Sequence, residues 1–482
     1  MATLLTTPGR TFGEFVLLPD YGDNHCRVDN IDLTCKLHDR LQLGITVLSA
    51  AMTSVTGYEM ALALAKEGGL GIIPCGLPQE DQVGIVRRIK AFEMGFVAEP
   101  IKIRENRSIE DALAMIRRFG HSKIPIVDVN NVYQGMFDLE IYIRSPASHK
   151  DPITTVLAQN VPTLVRSDLT IDEAKVHFAQ SADRYLVILD NQGRLVKLAF
   201  KKDEERLKVG AATNTHDGWE QRARALGEAG VDLIVIDTAD AHTPFSKIVL
   251  NRYNQLRSNG DPAFQAPICA GNVVTYNGAL HLMNAGADMI KEGMSSGSIC
   301  TSAQKTAAGR APMTSLIEVC RARDFFKEAG RYVPIIADGG ISDPASLLIA
   351  LTHADACMMG GVLNRYLEAA GPKLDNNRIP TTDEHQMEWV ETWGEASARA
   401  HNFVRYQHAG IRTFVEEGIE DVVPYCGRLK PGLSDFFKNV YVGFVRAGCR
   451  TLPEFRKRAV IELLSEAASG IVKRPHHVGG GQ

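Results

Sequence analysis

The sequence predicts an α/β protein built on a closed barrel of eight parallel strands, a (β/α)8 or TIM barrel, with a smaller domain inserted into it. Eight short apolar runs rich in β-branched residues recur along the chain, and a helical pattern follows each of them. A gap of about 130 residues separates the second run from the third, which is too long for a loop. The 482 residues suffice for a barrel and a second domain.

The predicted barrel strands are 45–50, 70–74, 207–212, 231–237, 266–271, 287–293, 333–340 and 354–361. Amphipathic segments such as GWEQRARALGEAG and NGALHLMNAG lie between them and end on the glycine that caps a helix before the next strand. In such a barrel the chemistry lies at the carboxyl ends of the strands.

The long gap contains an internal duplication of about 60 residues. Each copy reads as a capped helix, a strand, a turn and a second strand, and the helices begin at Ser108 and Thr170. This plan resembles a tandem pair of CBS modules, which in many proteins bind adenine nucleotides; the alternative is a structural insertion that binds nothing. The predicted domains are 1–95 and 206–482 for the barrel and 96–205 for the insertion.

A long charged segment that contains aromatic residues, 384–429, follows the eighth strand. It is too polar for a core and too rich in Gly and Glu for a simple final helix. We expect a mobile lid, or flap, over the barrel mouth.

Composition excludes several classes of protein. With 45% hydrophobic residues, 23% charged residues and a net charge of -4, the chain predicts a soluble protein without a nucleic-acid or membrane partner. It has no apolar run long enough to span a bilayer and no signal-peptide pattern, so the cytoplasm is expected. Nine scattered cysteines without a CxxC pair indicate reduced thiols rather than disulfides or structural zinc.

Glycine-rich strand ends predict a phosphate site. Asp338, Gly339 and Gly340 follow the seventh strand, while Gly360 and Gly361 follow the eighth. Backbone N–H groups beside such small residues can approach phosphate oxygens closely, although turns that merely close the barrel are the alternative.

The sixth strand leads into a loop of small polar residues that holds Cys300. Ser298 is a candidate phosphate donor, and the exposed carbonyls of the loop suit a monovalent cation. At the barrel mouth the Cys300 thiolate can act as a nucleophile if nearby donors stabilise it.

Polar residues also end the fourth and fifth strands, namely Asp237, Thr238 and Asp240, and then Asn272. We expect ligand contacts from them, although either aspartate can instead cap the helix that follows.

Taken together, these motifs resemble the IMP dehydrogenase and GMP reductase superfamily over nearly the whole chain. In chain order the motifs are LLPDY, SAAMTSVTGYEMALALAKEGGLGII, the CBS-like pair, VGAATNT, IDTADA, AGNVV, GSICT, ADGGI, MMGG, WGEASARAHN, Arg405-Tyr406 and VEEGIEDVVPYCG. The resemblance is closer to IMP dehydrogenase, because GMP reductase has no need of a hydrolytic Arg-Tyr flap.

The resemblance implies that Cys300 attacks C2 of the purine of IMP and that hydride passes to NAD. Hydrolysis of the covalent intermediate then gives XMP, in the route to guanine nucleotides. It implies that Arg405 and Tyr406 on the flap activate the water, with Ser302 and Glu417 as a second relay. It also implies substrate contacts from Ser49, Met52, Ser298, Asp338, Gly339, Gly340, Gly360, Gly361, Glu395, Ala396 and Glu417.

For the dinucleotide, the resemblance implies contacts from Asp237, Thr238, Asn272 and Gly293. It implies a K+ ion held by the backbone carbonyls of Ser295, Gly297 and Cys300, and a homotetramer.

The chain departs from the family pattern at Ser295, Ser302, Ala303, Thr392 and Ala396, which leaves an altered substrate open. The rival hypotheses are a purine nucleotide reductase of the GMP reductase type, a non-catalytic nucleotide sensor built on the CBS pair, and a flavin-dependent barrel.

Overall fold

A computed structural model describes residues 4–90, 96–97, 100–119, 123–143, 145–158, 161–180, 185–200, 207–400 and 416–472. The chain divides into two compact units. One consists of residues 1–90 with 207–482, and the other of residues 91–206.

The first unit contains the closed barrel of eight parallel strands, which confirms the predicted fold class. We name the strands β1 to β8: Val47–Ser49, Leu70–Ile73, Val209–Thr213, Leu233–Asp237, Ile268–Val273, Met289–Glu292, Ile335–Asp338 and Ala356–Met359. Nearly every strand residue is buried because the barrel interior covers one face and the helices cover the other. β3 ends one residue beyond its predicted run and β5 ends two residues beyond.

Eight helices alternate with the strands. We name them α1 to α8: Tyr58–Lys66, Gln79–Lys90, Trp219–Glu228, Pro244–Ser258, Tyr276–Asn284, Pro312–Glu328, Pro344–Leu351 and Leu429–Arg446. The side chains of Thr275 and Asp343 accept backbone N–H groups in the first turns of α5 and α7. These caps explain why the helices begin directly after the strand-end loops.

Smaller elements complete this unit. Its short helices, α or 3-10, are Phe12–Glu14, Val28–Asn30, Pro262–Phe264, Ser302–Thr306, Leu363–Arg365, Ala398–Ala400, Leu452–Arg458 and Glu466–Val472. Its antiparallel strands are Phe15–Leu18 with Val460–Leu463, Cys35–His38 with Leu41–Leu43, and the three-stranded sheet Lys373–Leu374, Trp389–Trp393 and Glu420–Pro424.

The three-stranded sheet changes the interpretation of the charged segment after β8. Trp389–Trp393 pairs with Glu420–Pro424, so the two ends of the expected flap form a ribbon. Val390 and Thr392 are buried in it, which the overall polarity of the segment did not suggest. Residues 401–415, between the two strands, lie outside the described residues, and the flap stays a prediction.

The second unit has two halves of the same plan. Each has a short strand, a helix and two further strands: Ile103–Arg104, Ile109–Phe119, Lys123–Val127 and Tyr133–Asp138, then Thr163–Val165, Ile171–Gln180, Tyr185–Leu189 and Leu195–Phe200. Phe96–Val97 pairs with the last strand, and Leu139–Ile143 and Ile153–Thr155 are short helices. Ser108 with Asp111 and Thr170 with Glu173 form reciprocal caps at equivalent positions. Assignment to the CBS type stays a prediction.

Each unit has its own hydrophobic core. In the second unit the buried clusters consist of residues from 103 to 199 alone. Among the helices in the described ranges, none combines the length and the apolar character that crossing a membrane requires.

Candidate active site

A cavity of about 250 Å³ lies at the carboxyl ends of the barrel strands. The end of β1 and the loops after β4 and β6 contribute to it, together with β5, β7, β8 and the base of the expected flap. Its lining comprises Ala50, Ala51, Met52, Asp237, Thr238, Ala239, Asn272, Lys291, Gly293, Met294, Ser295, Ser296, Gly297, Ile299, Cys300, Ser302, Asp338, Gly339, Met358, Gly394, Glu395, Ala396, Glu417 and Gly418.

The Cys300 thiol is half-buried in this lining. Its sulfur lies 3.2 Å from Ser302 Oγ, and its N–H donates to the Gly297 carbonyl at 3.1 Å. The Thr301 N–H donates to the Glu417 carbonyl at 2.8 Å, so the cysteine loop is attached to the strand that leads out of the flap. This attachment brings Cys300, Ser302 and Glu417 to one cavity, where a hydroxyl can donate to a thiolate.

A buried lysine occupies the floor of the cavity. The Lys291 ammonium contacts Asp237 at 2.8 Å and Asp338 at 2.7 Å, and it donates to the side-chain oxygen of Asn272. Burial alone would lower the pKa of Lys291, but these two carboxylates raise it above its usual value. The ammonium therefore stays charged and fixes both aspartates. Asp338 comes from β7, the neighbour of β6, and Asp237 comes from β4, two strands before β6.

Asn272 extends the same network. Its amide nitrogen donates to the Gly293 carbonyl at 2.6 Å and to Asp338 at 3.0 Å. The two groups predicted for different ligands, Asp237 and Asp338, are thus joined through shared polar partners.

The glycine turn after β7 lies against the cysteine loop. Ser296 Oγ donates to the Asp338 carbonyl at 2.7 Å, and a Cβ on Gly339 would come within 2.5 Å of that Oγ. Gly339 also has a φ of 84°, which favours glycine. Only glycine allows this close approach, and on the neighbouring strand end a Cβ on Gly361 would lie 3.6 Å from Ser298 Oγ.

The wall formed by the flap base is held to the loop after β1. Thr53 Oγ1 donates to Glu395 Oε1 at 2.6 Å and accepts the Trp393 indole N–H at 2.8 Å. Met52, next to Thr53 in the chain, and Glu395 both line the cavity.

A second ionisable residue of β6 points the other way. Glu292 is buried, and its Oε1 has no hydrogen-bond partner among the described residues. Burial raises the pKa of Glu292 to about 8, although the neighbouring Ser315 hydroxyl of α6 opposes the rise.

Most of the predicted site residues share this cavity. Those in its lining are Met52, Asp237, Thr238, Asn272, Gly293, Ser295, Gly297, Cys300, Ser302, Asp338, Gly339, Glu395, Ala396 and Glu417. Of the described predictions, Ser49, Ser298, Gly340, Gly360 and Gly361 lie outside the lining. Arg405 and Tyr406 lie outside the described residues.

The residues outside the lining have identifiable surroundings. Ser49 is fully buried and accepts a hydrogen bond from Thr56. A Cβ on Gly360 would contact the Met52 sulfur at 3.4 Å, so this glycine borders the cavity. Asp240 accepts the His242 N–H within the loop after β4, and Thr243 rather than either aspartate caps α4.

The carbonyls predicted to contact a cation have free hydrogen-bonding capacity. Within the described part of the chain, the carbonyls of Ser295 and Cys300 accept no hydrogen bond, and that of Gly297 accepts one, from Cys300. Neutral carbonyl oxygens with spare capacity fit a monovalent cation such as K+. Over the same residues, no cluster of three or more His, Cys, Asp or Glu could hold a metal ion.

Sequence reasoning missed Lys291, Thr53 and Ser296. Lys291 reads as the polar end of a strand, and only the positions of Asp237 and Asp338 reveal why it is buried. A lysine in a buried barrel strand was the available signal, since buried charges are paired.

Comparison with known proteins gives a consistent result. Residues 9–476 match the family described as the IMP dehydrogenase / GMP reductase domain. A Tritrichomonas foetus protein named inosine-5'-monophosphate dehydrogenase is 30% identical over 496 aligned positions, which cover 97% of this chain and 96% of the relative. An Aquifex aeolicus protein of the same name is 31% identical over 467 positions, with 94% and 92% covered.

Among solved structures, a GMP reductase from Trypanosoma brucei in complex with guanosine 5'-monophosphate superposes with a TM-score of 0.69. The two sequences are 22% identical, and the superposition covers 98% of this chain and 99% of that chain. At this identity the likeness is one of fold.

Proposed function

The chain belongs to the IMP dehydrogenase / GMP reductase family, and we propose that it oxidises IMP to XMP with NAD as the hydride acceptor. The observation that carries the proposal is the placement of Cys300 in one cavity with Ser302, Glu417 and the joined carboxylates Asp237 and Asp338. A nucleophile between two ligand-binding edges suits hydride transfer from one nucleotide to another.

The proposed reaction begins at the Cys300 sulfur. The thiolate adds to C2 of the purine and makes this carbon tetrahedral, so that hydride leaves C2 for the nicotinamide ring. The product is a thioimidate on Cys300 and NADH. Water then adds to the same carbon, the carbon–sulfur bond breaks, and XMP leaves with the thiol restored.

The residues around Cys300 have separate proposed roles. The Ser302 hydroxyl, 3.2 Å from the sulfur, can donate to the thiolate before attack. Asp338 and the turn at Gly339 are proposed to bind the ribose and phosphate of IMP, and Asp237 with Asn272 to bind NAD. Arg405, Tyr406 and Glu417 are proposed to activate the hydrolytic water.

Reduction of a purine nucleotide is the second candidate, since the family includes GMP reductase by name. The Arg405-Tyr406 pair favours oxidation, because a reductase that releases ammonia has no hydrolytic step to assist. The tetramer, the K+ ion and adenine nucleotide binding by the inserted unit belong to the same proposal.

Absorbance of the reduced nicotinamide decides between these candidates. With IMP and NAD we expect it to increase, and with GMP and NADPH to stay constant. The Cys300→Ala variant should abolish the increase, whereas Cys426→Ala, which removes an exposed thiol outside the cavity lining, should preserve it. A decrease with GMP and NADPH alone would identify a reductase, and failure of both assays would leave the sensor hypothesis.

A further inference from the structure

The Ser295 side chain joins the two ends of the cysteine loop. Its hydroxyl donates to the Ala308 carbonyl at 2.9 Å and accepts the Ala303 N–H at 3.1 Å. Cys300 lies between these attachment points in the sequence. The loop is therefore closed by a side-chain bridge in addition to its backbone bonds.

The backbone at both ends of the bridge has an uncommon conformation. Ser295 has a φ of 62° and Ala307 a φ of 59°, both in the left-handed region that favours glycine. Non-glycine residues keep such conformations only where surrounding contacts fix them. The Ser295 bridge supplies such contacts at this point.

The bridge also completes the short helix that follows Cys300. Thr301, the N-cap of Ser302–Thr306, makes no side-chain capping bond, which leaves the first N–H groups of the helix without that usual acceptor. Ser295 Oγ takes this role for Ala303 from outside the helix. Space for it comes from Gly309, where a Cβ would lie 2.6 Å from the Ser295 oxygen.

We propose that Ser295 is a positioning residue for Cys300. Its hydroxyl holds the helix that begins at Ser302 against the loop that leads into Cys300, and so keeps the Cys300 sulfur within hydrogen-bonding distance of the Ser302 hydroxyl. The inference rests on the proposed nucleophilic role of Cys300. It assigns a function to the Ser295 side chain that is separate from the carbonyl proposed to contact a cation.

Two substitutions distinguish the effect of the Ser295 hydroxyl from the effect of its backbone conformation. Ser295→Ala removes the hydroxyl and keeps a left-handed alanine, whereas Ser295→Gly removes the hydroxyl and relieves the backbone strain. If the hydroxyl positions the loop, both variants loosen it. If backbone strain alone mattered, the glycine variant would tighten it.

Amide hydrogen exchange reports on the hydrogen bond from the Ala303 N–H to the Ser295 hydroxyl without any assay of activity. The Ala303 amide should exchange about threefold to tenfold faster in both variants, the effect of losing one hydrogen bond. Exchange in α6 should not change, because a local effect leaves the barrel intact. Unchanged exchange at Ala303 would overturn the proposal.

Hydride transfer measures the consequence for Cys300. In single turnovers with IMP and NAD, the rate of NADH formation should fall about threefold to tenfold in both variants. The steady-state KM for NAD should stay within about twofold of the wild-type value. Gln304→Ala, an exposed substitution in the same short helix, is the matched control and should keep the wild-type rate. Faster exchange with an unchanged hydride-transfer rate would show that the bridge exists and does not position Cys300.

The test also separates this inference from the proposed function. If the wild-type protein forms no NADH from IMP, the proposed function fails, and alkylation by iodoacetamide replaces the kinetic measurement. The half-buried Cys300 should then be labelled about three times faster or more in both Ser295 variants, because the released loop exposes its sulfur more often. Equal labelling rates would overturn the role of Ser295.

Discussion

Lys291 is the residue that connects the predicted ligand groups. Its ammonium is almost fully buried between Asp237 and Asp338, so its charge compensates two carboxylates that would otherwise repel each other. Removing one member of a buried ion pair costs more than the pair contributes, because the remaining charge has no partner. The lysine thus holds the two carboxylates together in one cavity.

We expect Lys291→Met to lower the free energy of unfolding by about 3 kcal/mol, the cost of leaving two partly buried carboxylates without their cation. The apparent affinity for IMP and for NAD should fall together, since both proposed contacts lose the same partner. Urea unfolding and initial rates at varied nucleotide concentrations measure these effects. Lys305→Met, which removes an exposed lysine, is the control, and equal behaviour of the two variants would contradict the role assigned to Lys291.

At the scale of elements, β6 presents opposite faces to two environments. Lys291 points to the cavity, and the next residue, Glu292, points to α6 and Ser315, as alternate strand residues do. The carboxyl of Glu292 is neutral over much of the physiological range, because its pKa is about 8 in the folded protein and 4.5 in an unperturbed side chain.

This difference predicts a pH dependence of stability. Between about pH 5 and about pH 8 the folded protein retains a proton that the unfolded chain has lost, so the free energy of unfolding falls as pH rises. Glu292→Gln removes this dependence and should be more stable than the wild type by a few kcal/mol at about pH 9. Urea unfolding at several pH values tests this expectation; parallel profiles for the two proteins would contradict it.

The barrel elements were predictable because their signals are local. Each strand is an apolar run of a few residues followed by a helix, and this pattern is visible in a short window. The ribbon between Trp389–Trp393 and Glu420–Pro424 was not predictable, since its strands are distant in sequence and each is too polar to read as buried. The same holds for the pairing of Phe15–Leu18 with Val460–Leu463, from opposite ends of the chain.

The same difference between local and long-range signals separates the site residues that could be predicted from those that could not. Cys300, Asp338 and Gly339 could be predicted to meet because strand ends in a parallel barrel converge on one face. The roles of Lys291 and the Ser295 hydroxyl depend on partners from other strands and turns, which no local pattern specifies.

In the whole molecule, the inserted unit and the barrel have separate hydrophobic cores. β2 and β3 are paired neighbours, and Lys90 at the end of α2 donates to the Leu207 carbonyl at 3.0 Å. The points at which the chain leaves the barrel after Lys90 and re-enters it at Leu207 are therefore adjacent. The buried clusters of the insertion contain its own residues.

Replacing residues 91–206 with a short Gly-Ser linker should leave a folded barrel, because no barrel strand is lost and the linker spans a short distance. Its thermal unfolding midpoint and its rate of NADH formation should stay close to those of the full chain, and any effect of adenine nucleotides should disappear. Circular dichroism and the nicotinamide assay measure these outcomes. An insoluble or unfolded product would contradict the independence of the two cores.

Mass spectrometry of the acid-quenched reaction tests whether Cys300 forms a covalent intermediate with the purine nucleotide. In Arg405→Ala, proposed to stall hydrolysis, IMP and NAD should give a burst of roughly one NADH per active site. The added mass should map to Cys300 and be absent from Cys300→Ala. NADH formation without an adduct, or an adduct on another residue, would contradict the mechanism.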